Sequence, residues 1–203
     1  MRLVLCRHAE PEAAARGRVC GRVDVGLSPS GEAQADLLAA SLASERPSAL
    51  YASPIRRARE TAERIAPVLG LEPRLDPRLR ELDFGELDGM TYEEVEERWP
   101  DLYETWMRAP TEVRFPGGES FADLKRRAIE AAAGLVAAHA GETVIVVAHA
   151  GVIRALLVDW LSMPDEALFR IEQRYASVNV VEVLDGTVNV RLVNGQVAAP
   201  ASE

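Results

Sequence analysis

The 203-residue chain contains little cysteine and little histidine. Its two cysteines are Cys6 and Cys20, and neither belongs to a Cys-x-x-Cys pair or to a cysteine–histidine spacing that binds zinc. We therefore expect no disulfide framework, no metal and no cofactor, and a reduced, cytoplasmic setting. Because free cysteine is commonly buried, we expect Cys6 to be a core residue rather than a catalytic thiol.

The chain also lacks a long apolar run and an excess of positive charge. No apolar stretch approaches the roughly 18–20 residues that a membrane span needs, and the apolar stretch at the N-terminus is too short for a signal sequence. Asp and Glu total 32 against 23 Lys and Arg, which gives a formal net charge of −9 at pH 7. Nucleic acid and anionic membranes both need a basic surface, so we expect neither as a partner.

Strand-like and helix-like segments alternate along the chain. The length and the 48% of hydrophobic residues fit one domain over residues 1–203, with 196–203 as a flexible tail. The predicted elements, in order, are a strand at 2–6, a helix at 29–42, a strand at 48–53, a helix at 54–69, a strand and loop at 72–89, a helical region from 91, a helix at 121–139, a strand at 142–148, a helix at 151–162 and two final strands at 177–184 and 187–193.

Capping and turn residues mark several of these boundaries. Ser28 before Pro29 predicts a helix start, as does the Thr91-x-x-Glu94 capping box. Pro54 is expected at the first position of its helix and Gly70 just after the end of it. Asp185-Gly186 between two β-rich segments predicts a hairpin.

Strands that are apolar throughout favour a largely parallel sheet that helices cover on both faces, which is the α/β class. Two of the three histidines directly follow such strands, in "LVLCRH" and in "VIVVAH". Because ligands bind beyond the carboxyl ends of parallel strands, we expect Arg7, His8, Ser53 and His149 to meet at one edge of the sheet.

Imidazoles, guanidinium groups and a carboxylic acid at one edge would suit phosphoryl transfer. A guanidinium group binds a phosphate through two parallel hydrogen bonds, and a neutral imidazole is a competent nucleophile towards phosphorus. A second imidazole, which a bound phosphate keeps protonated, would stabilise the negative oxygens of the transition state. A carboxylic acid could protonate the leaving alcohol. These groups need no metal.

Five segments carry a family resemblance: "RHAE" at 7–10, "GRVCGRVDVGLSPSGEAQA" at 17–35, "SPIRRARETA" at 53–62, "ELDFGELDG" at 81–89 and "AHAG" at 148–151. In this order they resemble the motifs of the histidine phosphatase superfamily, the phosphoglycerate-mutase-like group. The chain looks more like its phosphatase branch, and the second segment is similar to α-ribazole phosphatases and broad-specificity phosphatases.

The resemblance implies a three-layer α/β/α sandwich with a mostly parallel central sheet, and a metal-independent phosphomonoesterase that acts on a small phosphorylated metabolite. It implies His8 as the nucleophile that becomes phosphohistidine and Glu81 as the general acid, with Asp83 as the alternative. His149 would be catalytic as well. The implied substrate-binding residues are Arg7, Arg57, Arg18, Cys20 and Gly21.

Two departures from the family pattern affect the expected site. Ala9 stands where the signature has glycine, and it fits there if the backbone avoids positive φ. Ala14 stands where the family often has asparagine, so one donor to the phosphate is absent and Arg18 could replace it. A phosphoglycerate-type mutase and a catalytically quiet binding module on the same fold stay open as alternatives. A homodimer built by the β-rich tail or by the tryptophan-bearing helical region also stays open.

Overall fold

The computed structural model of the chain describes residues 1–196. The predicted flexible tail at 196–203 lies outside the described residues, except for its first position. The strands are β1 Arg2–Arg7, β2 Ala49–Ala52, β3 Pro73–Leu75, β4 Thr143–Ala148, β5 Val178–Leu184 and β6 Thr187–Gly195. The α-helices are α1 Pro29–Leu42, α2 Arg56–Leu69, α3 Tyr92–Arg98, α4 Pro100–Arg108, α5 Phe121–Ala138 and α6 Ala150–Trp160.

The strands form one six-stranded sheet in the order β3-β2-β4-β1-β5-β6. The first four in this order run parallel, whereas β5 pairs antiparallel with β1 and β6 antiparallel with β5. The mostly parallel sheet is therefore confirmed. β1 and β4 lie side by side at its centre, so that their carboxyl ends reach the same edge.

Helices cover both faces of the sheet because side chains of successive strand residues point to opposite faces. Leu3 and Leu5 pack in a core with α5 and α6, whereas Val4 and Cys6 pack in a second core with α1 and α2. Burying each of these leucines contributes about 1.5–3 kcal/mol. Burial also raises the pKa of the Cys6 thiol to about 12, as expected for a core cysteine. The predicted three-layer sandwich is confirmed.

The helix ends follow their capping residues, with one exception. The side chain of Ser28 caps α1 by accepting the N–H of Gly31. The last residue of α2 is Leu69, and Gly70 is its C-cap with a φ of 65°. The prediction that Pro54 opens α2 is wrong, because the helix begins at Arg56. The hydroxyl of Ser53 accepts the N–H of Ile55 and holds a bend there.

A smaller core lies outside the sandwich and includes residues of α3, of α4 and of the loops on either side of this helix pair. Thr91 and Glu94 form the predicted capping box at the start of α3. Trp106 of α4 packs edge-on against Phe115, with 5.2 Å between the ring centroids. This core brings the segment that follows Glu81 close to the carboxyl ends of the strands.

The antiparallel end of the sheet is a hairpin. Asp185 and Gly186 connect β5 and β6 with φ values of 49° and 77°. Two consecutive residues of positive φ are typical of the type I′ turn that the Asp-Gly pair predicts. Among the helices of residues 1–196, none combines the length and the apolar character that spanning a membrane requires.

Candidate active site

The carboxyl ends of three strands bring the predicted residues together. His8 follows β1, His149 follows β4 and Ser53 follows β2. Arg7 pairs with Ala148 in the sheet, so the two histidines follow neighbouring positions. Their ring centroids are 5.1 Å apart, and both side chains are buried.

The imidazole of His8 has a defined tautomer. Its Nδ1 atom lies 2.7 Å from the carbonyl oxygen of Ala9, which can only accept, so Nδ1 carries the proton. Nε2 therefore has a lone pair, and it accepts the Nε–H of Arg57 at 3.3 Å. Burial, with the charges of Arg57 and Arg7, lowers the pKa of His8 well below its usual value. The ring is thus neutral at pH 7 with Nε2 unprotonated.

Arg57 is fixed from both ends of its guanidinium group. It lies in the first turn of α2 and is 2% exposed. Besides the contact with His8, its Nη1 donates to the carbonyl oxygen of Val23, and its Nη2 donates to those of Cys20 and Gly21. The segment around position 20 therefore sets the orientation of Arg57 towards the histidine.

His149 is oriented by Ser53, whose Oγ lies 2.8 Å from Nε2 of the ring. Burial, followed by the charge of Arg57, lowers the pKa of His149 well below its usual value. This imidazole is therefore neutral in the free site at pH 7. A phosphate dianion beside it would favour the protonated form of the ring in the bound state.

Arg7, the last residue of β1, lies at the same site as His8. Its Nη1 donates to the carbonyl oxygen of Gln173, and its guanidinium carbon lies 4.0 Å from the ring centroid of Tyr175. Burial lowers the pKa of Arg7, yet the guanidinium group remains charged at neutral pH. The ring of Tyr175 also lies 5.6 Å from that of His8.

Two buried side-chain nitrogens at this place have no hydrogen-bond partner. Within residues 1–196, Nε of Arg7 and Nδ1 of His149 are the only buried side-chain nitrogen or oxygen atoms in this condition. Leaving a buried polar group unpaired costs about 1–3 kcal/mol. Each of the two nitrogens can donate one hydrogen bond, as a bound anion would require.

Glu81 is held beside the histidines by backbone donors. Its two carboxyl oxygens accept the N–H groups of Leu82 and Gly151 at 3.0 and 3.1 Å. A side chain at Gly151 would collide with this carboxyl group, since a Cβ there would lie 2.2 Å from Oε1. Arg127 donates to the carbonyl oxygen of Glu81 and pairs with Glu119, which fixes the segment from behind.

Asp83, the alternative acid, faces a different environment. Its carboxyl group pairs with Arg22 at 3.0 Å and accepts the N–H of Gly85. Asp83 lines neither of the two cavities that Glu81 lines. The geometry therefore favours Glu81 as the acid.

Arg7, His8, Arg57 and Glu81 line a cavity that we call the phosphate pocket, with about 740 Å³ of empty space. Its lining residues are Arg7, His8, Pro11, Ala15, Arg18, Val19, Cys20, Arg57, Glu81, Phe84, Tyr92 and Tyr175. His149 is not among the lining residues, although its ring lies next to that of His8. Within residues 1–196, no group of three His, Cys, Asp or Glu side chains is placed to hold a metal ion.

The three remaining predicted residues differ in their relation to this pocket. Arg18 lines it, but its Nη1 donates to the carbonyl oxygen of Gly89. Cys20 lines it and is half-buried. Gly21 does not line it, since its N–H donates to Asp88 and its carbonyl oxygen accepts from Arg57. The structure thus places Gly21 as a support for Arg57.

The two alanines that depart from the family pattern are accommodated in different ways. Ala9 is fully buried and is not among the residues with positive φ, which meets the condition stated above. Its N–H donates to the hydroxyl of Thr61. Ala14 is exposed in a short 3₁₀ turn at Ala13–Ala15 and does not line the pocket.

Sequence reasoning missed Tyr175, Phe84 and Tyr92 as lining residues. Tyr175 comes from the segment before β5, and the pairing of β5 with β1 brings it next to Arg7. No local pattern indicates this contact, because strand pairing across the chain decides it.

Comparison with known proteins shows that the chain belongs to a known family. The family described as "Histidine phosphatase superfamily (branch 1)" matches residues 3–196. The Bifunctional protein Rv2228c of Mycobacterium tuberculosis is 37% identical over 195 residues, which are 95% of this chain and 53% of that protein. The chain thus spans about half the length of the first curated relatives it matches. Phosphoserine phosphatase 1 of Hydrogenobacter thermophilus is 38% identical over 156 residues, 77% of this chain and 74% of that protein.

Solved structures share the fold over nearly the whole chain. YhfR of Bacillus stearothermophilus has a TM-score of 0.90 at 33% identity, covering 97% of this chain and 98% of that structure. The α-ribazole phosphatase of Shigella flexneri has a TM-score of 0.89 at 23% identity, with full coverage of both chains. The predicted likeness to α-ribazole phosphatases is confirmed at the level of the fold.

Proposed function

Because the chain belongs to the histidine phosphatase superfamily, we propose that it is a metal-independent phosphomonoesterase that forms phosphohistidine at His8. Its substrate is a small phosphorylated metabolite. The observation that carries the proposal is the unprotonated Nε2 of His8 beside Arg57, together with the unpartnered buried nitrogens of Arg7 and His149. A phosphate group between these atoms would meet a nucleophile and accept from both donors.

In the first step, the lone pair on Nε2 of His8 attacks phosphorus while the bond from phosphorus to the alcohol oxygen breaks. Glu81, in its carboxylic acid form, gives its proton to that oxygen, and the alcohol leaves. The Nδ1–H of His8 keeps its hydrogen bond to the carbonyl oxygen of Ala9, and this bond stabilises the positive ring of phosphohistidine. Arg7, Arg57 and His149 bind the phosphate oxygens as charge shifts onto them.

In the second step, water attacks phosphohistidine from the side that the alcohol has left. The Glu81 carboxylate accepts a proton from this water, the bond between Nε2 and phosphorus breaks, and inorganic phosphate leaves. The second step thus gives back to Glu81 the proton that the first step used, and His8 is neutral again. The same carboxyl group thus serves both steps.

The relatives that are named as phosphatases support a phosphatase rather than a mutase. Phosphoserine phosphatase 1 is named for such an activity, and it matches 77% of this chain. The first curated relatives are about twice as long as this chain, so the proposal concerns the reaction at this site and not the activity of a longer protein. The mutase and the binding module become outcomes of the test below.

The test is hydrolysis of p-nitrophenyl phosphate in excess chelator by the wild type, by His8→Ala and by His139→Ala, a histidine outside the pocket. We expect phosphate release by the wild type and by His139→Ala and at least about a thousandfold loss in His8→Ala. Acid-labile, alkali-stable label from ³²P-substrate should appear on the wild type. Isomerisation without net phosphate release would instead indicate a mutase, and no turnover on a broad panel would indicate a binding module.

We also propose that the protein works in the cytoplasm, on the support of its free thiols at Cys6 and Cys20. Cell fractionation with an antibody against the chain tests this. A homodimer through the edge strand β6, where Leu192 and Val193 are exposed, stays a prediction that sedimentation analysis tests.

A further inference from the structure

A second cavity lies directly beside the phosphate pocket and shares Glu81, Phe84 and Tyr92 with it. We call it the side cavity; it contains about 630 Å³ of empty space. Glu81 lies at the border of the two cavities and gives its proton to the leaving alcohol in the mechanism above. The carbon skeleton of that alcohol therefore extends from Glu81, and the side cavity is the space next to it.

The walls of the side cavity are mostly apolar and aromatic. They include Phe84, Trp106, Phe121, Leu124, Leu168 and Phe169. The ring of Tyr92 stacks on that of Trp106, with 5.6 Å between the centroids and an angle of 27°. Because Trp106, Phe121 and Leu124 are buried in packed cores, these walls are fixed in shape. Flat apolar groups gain the most from such a surface.

One cation interrupts the apolar lining. Arg154 of α6 is, with Glu81, one of the two charged residues that line the side cavity. Its Nε donates to the carbonyl oxygen of Ile171 at 2.8 Å, which fixes the side chain. Within residues 1–196 its two Nη groups have no hydrogen-bond partner, and the guanidinium carbon lies 5.3 Å from the ring centroid of Phe169. A half-buried guanidinium group with free Nη donors binds a carboxylate through two parallel bonds.

We propose that the side cavity holds the alcohol part of the substrate, and that this part is an aromatic hydroxy acid whose carboxylate pairs with Arg154. This inference rests on the proposed function and names the substrate class for the same site. One guanidinium group matches the single charge and the two oxygens of a carboxylate. A second phosphate group would carry close to two charges into a cavity where Arg154 is the one lining cation.

The experiment compares kcat/KM for 4-carboxyphenyl phosphate and 4-methylphenyl phosphate in the wild type and in variants. Arg154→Met keeps much of the aliphatic stem and removes the charge, whereas Arg154→Lys keeps the charge. The matched control is Arg170→Met, since Arg170 is exposed and lines neither cavity. The ratio of the two substrates, compared between variants, cancels the different leaving-group chemistry of the two phenols.

We expect Arg154→Met to lower kcat/KM for the carboxylated ester at least about tenfold more than for the methyl ester. Arg154→Lys should recover part of the difference, and Arg170→Met should leave the ratio as in the wild type. An equal effect of Arg154→Met on both esters would overturn the carboxylate pairing. So would a larger effect on 1,4-phenylene bisphosphate than on the carboxylated ester.

A second variant tests the apolar wall without risk to folding. Phe169 lines the side cavity and is 58% exposed, so Phe169→Ser removes little core packing. We expect this variant to lose about three- to tenfold in kcat/KM for both aryl esters relative to glycerol 3-phosphate. A uniform loss on all three substrates would contradict the placement of the alcohol in this cavity.

The proposed function and this inference fail in different ways. If the wild type hydrolyses glycerol 3-phosphate and both aryl esters but the Arg154 variants change no ratio, the inference fails and the function stands. If no ester is hydrolysed, the function fails, and titration calorimetry with the two aryl phosphates then tests the cavity. In that case, tighter binding of the carboxylated ester that Arg154→Met removes supports the inference, and equal binding overturns it.

Discussion

The Nε–H of Arg57 donates to Nε2 of His8 across 3.3 Å, so this arginine is the direct neighbour of the candidate nucleophile. The same guanidinium group contributes to the lowered pKa of His8 and of His149. Burial and the charge of Arg57 together keep both imidazoles neutral in the free site, and in the proposed mechanism the same guanidinium group binds the phosphate.

Replacing Arg57 tests this double role. We expect Arg57→Gln to lower kcat/KM at least about a hundredfold, because a fixed donor to the phosphate oxygens is lost. Inorganic phosphate should no longer raise the melting temperature as it does for the wild type. Arg59→Gln on α2 is the control, since the one ion pair of Arg59 within residues 1–196 is with Glu63 at 3.4 Å. Wild-type phosphate affinity in Arg57→Gln would contradict the site.

The buried histidines predict how stability depends on pH. In the unfolded chain a histidine has a pKa near 6.5, and in the folded protein the pKa of His8 and of His149 lies well below that value. The unfolded state therefore binds more protons as the pH falls below about 6.5, and the folded state loses stability by up to about 1.4 kcal/mol per pH unit for each histidine. Urea unfolding between pH 7.5 and 5 measures the slope.

The matched variant for this slope is His149→Gln, which removes one titrating group. We expect it to flatten the dependence below pH 6.5, although its stability at pH 7.5 can differ from that of the wild type. Added phosphate should flatten the wild-type slope as well, because a bound dianion favours protonated His149. An unchanged slope in the variant would show that His149 does not titrate in this way.

Glu81 gives a prediction about leaving groups. If Glu81 protonates the alcohol, Glu81→Gln should slow an alkyl phosphate far more than p-nitrophenyl phosphate, whose leaving group needs little protonation. We expect a difference of at least about tenfold between the two substrates in kcat. Asp83→Asn is the comparison, since Asp83 pairs with Arg22 and lines neither cavity. A larger leaving-group effect in Asp83→Asn would transfer the role to Asp83.

Cys20 reports on occupancy of the phosphate pocket. Its side chain lines the pocket and is half-buried, and burial raises the pKa of its thiol. We expect slow alkylation by iodoacetamide at pH 7, faster alkylation at pH 9, and protection by inorganic phosphate. Mass spectrometry of the folded protein should find no label on buried Cys6. Labelling of Cys20 at the same rate with and without phosphate would place the anion elsewhere.

The sequence predicted that the two histidines meet at one edge of the sheet because their placement depends on a local pattern. His8 and His149 follow apolar strands, and parallel strands bring their carboxyl ends to one edge. Arg57 and Glu81 could be chosen only by the family resemblance, since several arginines and carboxylates surround each of them in the sequence. Pro54 predicts a start of α2 that is two residues too early, because the hydrogen bond from the N–H of Ile55 to the hydroxyl of Ser53 holds a bend before the helix.

The rest of the site depends on contacts between distant segments. Tyr175 reaches Arg7 through the pairing of β5 with β1, which no local pattern specifies. Arg154 did leave a signal, because it is a charged residue within "AGVIRALL", an otherwise apolar run of α6. A single charge in a buried helix indicates a partner or a ligand.

The position of β1 has a consequence for how the protein is made. The strand that leads into His8 is synthesised before every other strand of the sheet, yet both of its neighbours, β4 and β5, come after residue 142. During translation β1 therefore has no sheet partner until residues 143–148 have emerged, and its four buried residues stay open to nascent-chain chaperones until then. Chains that stall before β4 cannot assemble the phosphate pocket.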